Sequence, residues 1–317
     1  MPDLGPAVTT VVRRCLDIKE GEDVLIVGDP GTQRLAETLQ QAAKELGADA
    51  VLALMDEREI DGTEPARPIG AALSACDVFI APTTRSLSHT RARKAASEAG
   101  VRGATMPGVT EDMLARVMAA DFDVMAARSA VVAGLLDGAT EAHVTCPRGS
   151  DLRLDLNGRQ GISDDGKLTE PGAFGNLPCG EGFVAPRSGE GVMVASSLAS
   201  IGLTDEPATL TVRKGHIVGA EGGAGPDFYA RLTNHGQPGT NLAELGVGTN
   251  DQAQLTGEIL EDEKILGTVH VAFGASAGIG GTVAVPIHLD AIVLDATLTI
   301  DGQKVLDEGR YLLDASR

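Results

Sequence analysis

From residue 23 to residue 138, short apolar runs alternate with segments whose apolar positions recur every three or four residues. DVLIVG (23–28), DAVLALM (49–55) and CDVFIAP (76–82) are the runs, each of strand length. Between the first two, RLAETLQQAAKELG (34–47) places Leu35, Leu39, Ala42, Ala43 and Leu46 on one helical face, and Gly47 stands where a C-cap glycine belongs. HTRARKAASEAG (89–100) reads as a basic helix, and the stretch from Thr110 to Gly138 as a helix in two pieces. Strands alternating with helices predict a parallel sheet covered on both faces. Past about residue 140 the period drops to two. EAHVTCPRGSDLRLDLNGRQGISDDGK alternates polar and apolar residues around Gly, Asn and Asp turns, and ATLTVRKGHIVGAEGG and ATLTIDGQKVLDEGRY read as hairpins. The expected fold class is α/β. A parallel-sheet α/β domain over residues 1–138 is followed by a β-rich α+β domain over 139–317.

Charge narrows the partners. The 317 residues include 45 acidic and 26 basic side chains, a formal net charge of −19. Such a surface repels nucleic-acid phosphates and anionic membranes, so neither is expected as a partner. Aromatic residues are 3% of the chain with no Trp, which argues against base stacking. DVLIVGDPGT lacks the glycine spacing of a dinucleotide or P-loop site, so a plain strand-to-helix turn is expected there. Cys15, Cys76, Cys146 and Cys179 form no CxxC pair, and MPDLGPAVTTVVRRC has no apolar signal core. No apolar run reaches the ~18 residues of a membrane span. A cytoplasmic protein with reduced thiols is the expectation.

Four stretches in the second half carry candidate chemistry: NLPCGEGFVAP (176–186), NLAELGVGTN (241–250), EDEKILGTVHVAFG (261–274) and VPIHLD (285–290). His288 and Asp290 sit two apart in a strand-like run, so their side chains share a face, about 6–7 Å apart along the backbone. His270 interrupts another apolar strand. Glu181 follows a Pro-x-Gly turn at the start of a strand, and Glu244 is placed at the end of a helical turn before a glycine-rich loop. Singly, each has an ordinary alternative: a solvated acid or a hydrogen-bonded core histidine. Together, two Glu, two His and one Asp suit a pair of divalent cations, with the imidazoles favouring Zn, Mn, Co or Fe over Ca. Glu263 and Lys264 are candidates for proton handling beside them, the alternative being an exposed charge cluster.

These stretches resemble, in order, the signature segments of the M29 family of metallo-aminopeptidases (the aminopeptidase T and aminopeptidase S group). The pattern is NLPxGE…AP, ELGxGTN, EDEKxxGTxHxAxG and HxD, and the third block is the most specific. The resemblance implies two divalent metal ions (Zn, Co, Mn or Mg) held by Glu181, Glu244, His270, His288 and Asp290. It also implies a homodimer that removes N-terminal amino acids from small peptides. In such a mechanism Glu181 or Glu244 is the candidate catalytic acid or base, with Glu263 the next candidate. The chain departs from that family in two ways. It is shorter between His270 and His288, and Ala277 stands where the family has a Tyr. It is also similar to the 2,5-dihydroxypyridine dioxygenases, which are comparably short. That likeness implies one Fe(II) on His270, His288 and Asp290 and a ring-cleaving reaction. Retention of both Glu181 and Glu244 places the two-metal hydrolase first.

Overall fold

A computed structural model describes residues 2–313. Its chain divides into two compact units, one made of the residues up to 120 together with 166–179, the other of 121–165 and the residues from 180 onward. The expected border at 138/139 falls just after the helix Phe122–Leu136, which belongs to the second unit.

Along the chain, α1 (Gly5–Thr9) runs into a π-helical turn and then β1 (Asp23–Gly28), α2 (Gln33–Glu45), β2 (Asp49–Leu54), α3 (Arg67–Leu73), β3 (Val78–Ala81), α4 (Arg91–Glu98), β4 (Arg102–Thr105) and α5 (Glu111–Val117). α6 (Phe122–Leu136) precedes β5 (Glu141–Thr145), β6 (Asp151–Asp155) and β7 (Ile162–Asp164). The chain then returns to the first unit for β8 (Phe174–Asn176). The remainder is β9 (Glu181–Val184), β10 (Ser188–Leu198), β11 (Gly202–Arg213), β12 (His216–Glu221), α7 (Gly225–Thr233), α8 (Gly236–Gly239), β13 (Leu242–Gly248), α9 (Ile259–Asp262), β14 (Val269–Gly274), β15 (His288–Val293), β16 (Thr297–Ile300), β17 (Gln303–Asp307) and β18 (Arg310–Tyr311).

The first unit holds a parallel sheet in the order β2-β1-β3-β4-β8. The central strands β1 and β3 are buried apolar runs, as parallel strands with both faces covered must be, while the edge strand β2 is partly exposed. The helical phase read from the sequence is the phase observed: Leu35, Ala36, Leu39 and Ala43 of α2 are buried, and Gly47 takes the positive φ of 85° that a C-cap requires. The loop after β1 is closed by an acid. Asp29 is buried and its carboxylate accepts hydrogen bonds from the Gly31 and Thr84 amides at 3.1 and 2.6 Å, which leaves no anion cradle there. Arg102 ties the segment leading into β1 to β4. Its guanidinium donates to both Glu22 oxygens, at 2.9 and 2.6 Å, and to the Leu16 carbonyl at 2.8 Å.

The second unit is built on one large antiparallel sheet, β18-β17-β16-β5-β6-β10-β15-β14-β13-β9-β7, with β11 and β12 added beside β10. Both expected hairpins are present. Their turns place Lys214-Gly215 and Asp301-Gly302 at positive φ, the geometry of two-residue hairpin loops. One face of the sheet carries a continuous core that includes Val184, Leu245, Val247, Val271, Phe273 and Ala291, with Val132 and Leu136 of α6 packed into it. Among the described residues no helix is long and apolar enough to cross a membrane.

Candidate metal centre

Four neighbouring strands carry the five expected ligands. Glu181 is opposite Gly248 between β9 and β13, Glu244 opposite Ala272 between β13 and β14, and Ala272 opposite Asp290 between β14 and β15. His270 is opposite Gly246 on one side, and His288 is opposite Gly274. Residues directly opposite in an antiparallel ladder point the same way, as do residues two apart along a strand. All five side chains therefore project from the face of the sheet away from the apolar core. Along β13 a bulge between Leu242 and Glu244 shifts the alternation, so that Leu242 packs the core while Glu244 joins the ligand face.

Glu244 lies mid-strand in β13, not at the end of a helical turn. Leu242, Ala243 and Leu245 favour helix in isolation, but strands paired on both sides override a weak local preference. The expected strand positions of Glu181, His270, His288 and Asp290 are those observed.

The ligand atoms form two groups that share Glu244. In one, His270 Nε2 is 2.9 Å from Glu181 Oε2 and 3.4 Å from Glu244 Oε1. In the other, His288 Nε2 is 3.3 Å from Glu244 Oε2 and 3.7 Å from Asp290 Oδ1. Within each group the ligand atoms lie within 4.8 Å of one another, close enough for a common cation. The surroundings fit one. Glu181 Oε2 is buried and faces His270 Nε2 at 2.9 Å, two donor atoms that a cation between them would share. His288 Nδ1 is 2.7 Å from the Ala275 carbonyl, which only accepts, so the proton sits on Nδ1 and Nε2 is left to coordinate. His270 is held differently. Its Nδ1 has no partner, and the ring lies across Gly246, where a Cβ would come within 2.0 Å of Nε2. Gly248, two residues on, leaves space for the Ile265 carbonyl, 2.1 Å from where its Cβ would be. The two glycines of ELGVG are vacancies for what packs against them.

The EDEK block is buried, not an exposed charge cluster. Glu261 and Asp262 face the preceding loop: Glu261 accepts from the Gln254 amide at 2.7 Å and Asp262 from the Thr256 amide at 2.8 Å and Ser197 Oγ at 2.7 Å. Glu263 and Lys264 face the ligands. Lys264 Nζ is 2.6 Å from Glu181 and 2.8 Å from Glu263, and 3.5 Å from Asp164 on β7, which pairs opposite Glu181. The sequence carried no sign of Asp164, since an acid in SDDG reads as a turn residue.

This crowding sets the acidities of the metal-free protein. Burial pushes Glu263 up to about 8, with Lys264 opposing and Asp290 and Glu181 adding to the rise. Burial pushes Asp164 to about 7 against the pull of Lys264. At Glu181 burial acts the same way but is outweighed by Lys264 and His270, which bring it to about 2. His270 and His288 are raised well above the ordinary value, burial being outweighed by Glu181 for the first and Asp290 for the second, with Glu244 adding to both.

Solved structures with a similar fold include two enzymes. The 2,5-dihydroxypyridine dioxygenase from Pseudomonas putida superposes with a TM-score of 0.83 at 21% identity, covering 98% of this chain and 97% of the other. Aminopeptidase T (AmpT) from Thermus thermophilus gives 0.70 at 18% identity, covering 97% and 98%. No curated protein sequence matches. Both families seen in the sequence thus appear among its structural likenesses, and the one placed second there is the one whose family model matches. That model, NicX: 2,5-dihydroxypyridine 5,6-dioxygenase, covers residues 3–313, and the chain belongs to this family.

Proposed function

We propose that the protein is a metal-dependent oxygenase that opens a small hydroxylated heteroaromatic ring. The observation that carries this reading is the family match over residues 3–313, together with two imidazoles and one carboxylate on the paired strands β14 and β15. His270 from the first group and His288 and Asp290 from the second would together hold a single Fe(II), which would supply the chemistry with dioxygen. The chain's own residues do the rest. Ala275 fixes the tautomer of His288, and Gly246 leaves the slot in which the His270 ring lies. Phe183, half-buried and on the ligand face of β9, offers an aromatic surface to a planar ring. Glu263, buried beside the ligands and 2.8 Å from Lys264, is the acid placed to exchange a proton with a ring-opened product. The test is iron per chain and oxygen uptake on a panel of hydroxylated pyridines. One iron and substrate-dependent uptake are expected, with His288→Ala losing both; an iron-free active enzyme would sink the assignment.

One observation favours a second reading. Glu244 offers Oε1 to the group around His270 and Oε2 to the group around His288, the arrangement of a carboxylate shared by two cations. Glu181, Glu244 and His270 on one side and Glu244, His288 and Asp290 on the other would hold two divalent ions, which would supply an activated water and a Lewis acid for a carbonyl. The reaction would then be removal of N-terminal residues from small peptides. In this chain the family Tyr position, Ala277, is an exposed residue of a short turn and supplies no hydroxyl. Two Zn, Mn or Co per chain with peptide hydrolysis and no oxygen uptake would decide for it.

A further inference from the structure

Neither reaction above employs the buried ammonium of Lys264. Its side chain is 1% exposed, and its Nζ faces three carboxylates: Glu181 Oε1 at 2.6 Å, Glu263 Oε1 at 2.8 Å and Asp164 Oδ2 at 3.5 Å. An ammonium has three protons, so each has an acceptor. The main chain behind it is pinned. Lys264 N donates to Glu261 O at 2.9 Å, Lys264 O accepts from Asn250 N at 2.9 Å, and Gly248 lets this segment press against β13. The charge is thus a fixed part of the site rather than a mobile surface group.

Its effect is to divide one carboxylate. Glu181 Oε1 is taken by Lys264, while Oε2 is buried and lies 2.9 Å from His270 Nε2. A carboxylate anchored through one oxygen cannot swing both onto a cation. We propose that Lys264 is a positioning residue that makes Glu181 a one-oxygen donor to the metal centre and thereby sets which divalent cation the centre prefers. This rests on an ion being held by the group of Glu181, Glu244 and His270, as in the second reading above, and not on the reaction it would serve. A one-oxygen carboxylate beside imidazoles suits ions such as Zn(II), which bind few ligands at short distance. Ions that favour carboxylate-rich sites, such as Mn(II), gain when a second oxygen and an uncompensated charge are released.

The experiment is titration of metal-free wild type and Lys264→Met with Zn(II) and with Mn(II), each in competition with a chromophoric chelator. Methionine keeps the volume and removes the charge. The ratio of the two affinities on one protein cancels any general loosening of the fold. The Mn:Zn affinity ratio should rise about tenfold or more in the variant, the scale of changes around metal ligands. A ratio within about twofold of wild type overturns the proposal. Wild type that binds neither ion overturns the metal-centre reading and this inference with it. If Lys264→Met does not fold, a crystal structure of Zn-loaded wild type decides. Oε2 alone on the ion with Lys264 on Oε1 supports the proposal, and both Glu181 oxygens on the ion refute it.

Discussion

Replacing Gly246 by Ala should empty the metal centre while leaving the sheet intact. The added Cβ would sit 2.0 Å from His270 Nε2 and 2.2 Å from Cε1, whereas ordinary contact begins at 3.4 Å. The ring must therefore retreat by about 1.4 Å (3.4 − 2.0). Metal–imidazole bonds are about 2.1 Å long and tolerate only about 0.2 Å of misplacement, so His270 ceases to be a ligand. Glu181 and Glu244 hold the ring at Nε2, the side the Cβ would press, while Nδ1 makes no hydrogen bond that would anchor the opposite side. The backbone is not the obstacle, since Gly246 is not among the residues at positive φ. Overpacking should cost about 1–3 kcal/mol, offset by roughly 0.4–1 kcal/mol from the stiffer unfolded chain. Metal affinity should fall by more than the 10–100-fold typical of changes to residues that merely support a ligand. Metal content per chain by mass spectrometry, with circular dichroism and a thermal melt of the metal-free protein, reads both effects. Gly219→Ala on β12 is the control, because a Cβ there meets nothing within 4 Å. A folded Gly246→Ala protein with wild-type metal content and affinity would refute the reasoning.

Stripping metal from the protein should lower its melting temperature, because Glu181, Glu244, Glu263, Asp290 and Asp164 are then left with Lys264 and the two histidines alone. Adding a binding ion at a thousand times its Kd should restore about 4 kcal/mol, and a melt indifferent to metal would count against the site. Metal binding should release protons and strengthen as pH rises, since His270 and His288 hold protons above the ordinary histidine value and coordination needs them neutral. Calorimetry in buffers of different ionisation enthalpy measures that release, and a buffer-independent heat would contradict it. Arg102→Leu should cost about 1–3 kcal/mol by leaving Glu22 half-buried with the Lys19 amide in place of a charged partner. Arg102 and Lys19 hold Glu22 below the usual value of 4.5 against the burial that would raise it. The wild-type advantage should therefore be present above that value and fade as pH falls through the lowered one, which urea titrations of both proteins at several pH values would show. Cys76, with burial pushing its thiol up to about 11, should label far more slowly at pH 8 in the native than in the denatured protein, as peptide mapping would report.

The site was legible in the sequence where its chemistry follows a backbone period. His288 and Asp290 share a face because two residues of strand return a side chain to the same side, and that holds wherever the strand pairs. The α2 phase and the two hairpin turns were readable for the same local reason. Glu244 was misplaced because Leu, Ala and Glu around it favour helix, and only its neighbours β9 and β14 impose the strand. Burial of EDEK, and with it the roles of Lys264 and Asp164, depends on which segments meet in space. Nothing local to those residues separates a charge cluster in solvent from one closed over a site. The slot at Gly246 is of the same kind, since its reason lies in a histidine of another strand.

The return of residues 166–179 to the first unit has a consequence for synthesis. As the chain emerges from the ribosome, β1 to β4 can assemble, but the rim of their sheet at β4 stays open until β8 follows some seventy residues later, Thr105 to Phe174. In that interval α6 and β5 to β7 are already made; β5 and β6 pair with each other, but their further partners β16 and β10, and the β9 that pairs with β7, lie downstream. Neither unit can finish before the other has begun. A fragment cut at 138/139 would keep an exposed edge on its sheet and carry α6 without the strands it covers. Separating the halves of this protein for study therefore calls for a circularly rearranged gene that restores β8 to its own sheet, rather than a single truncation.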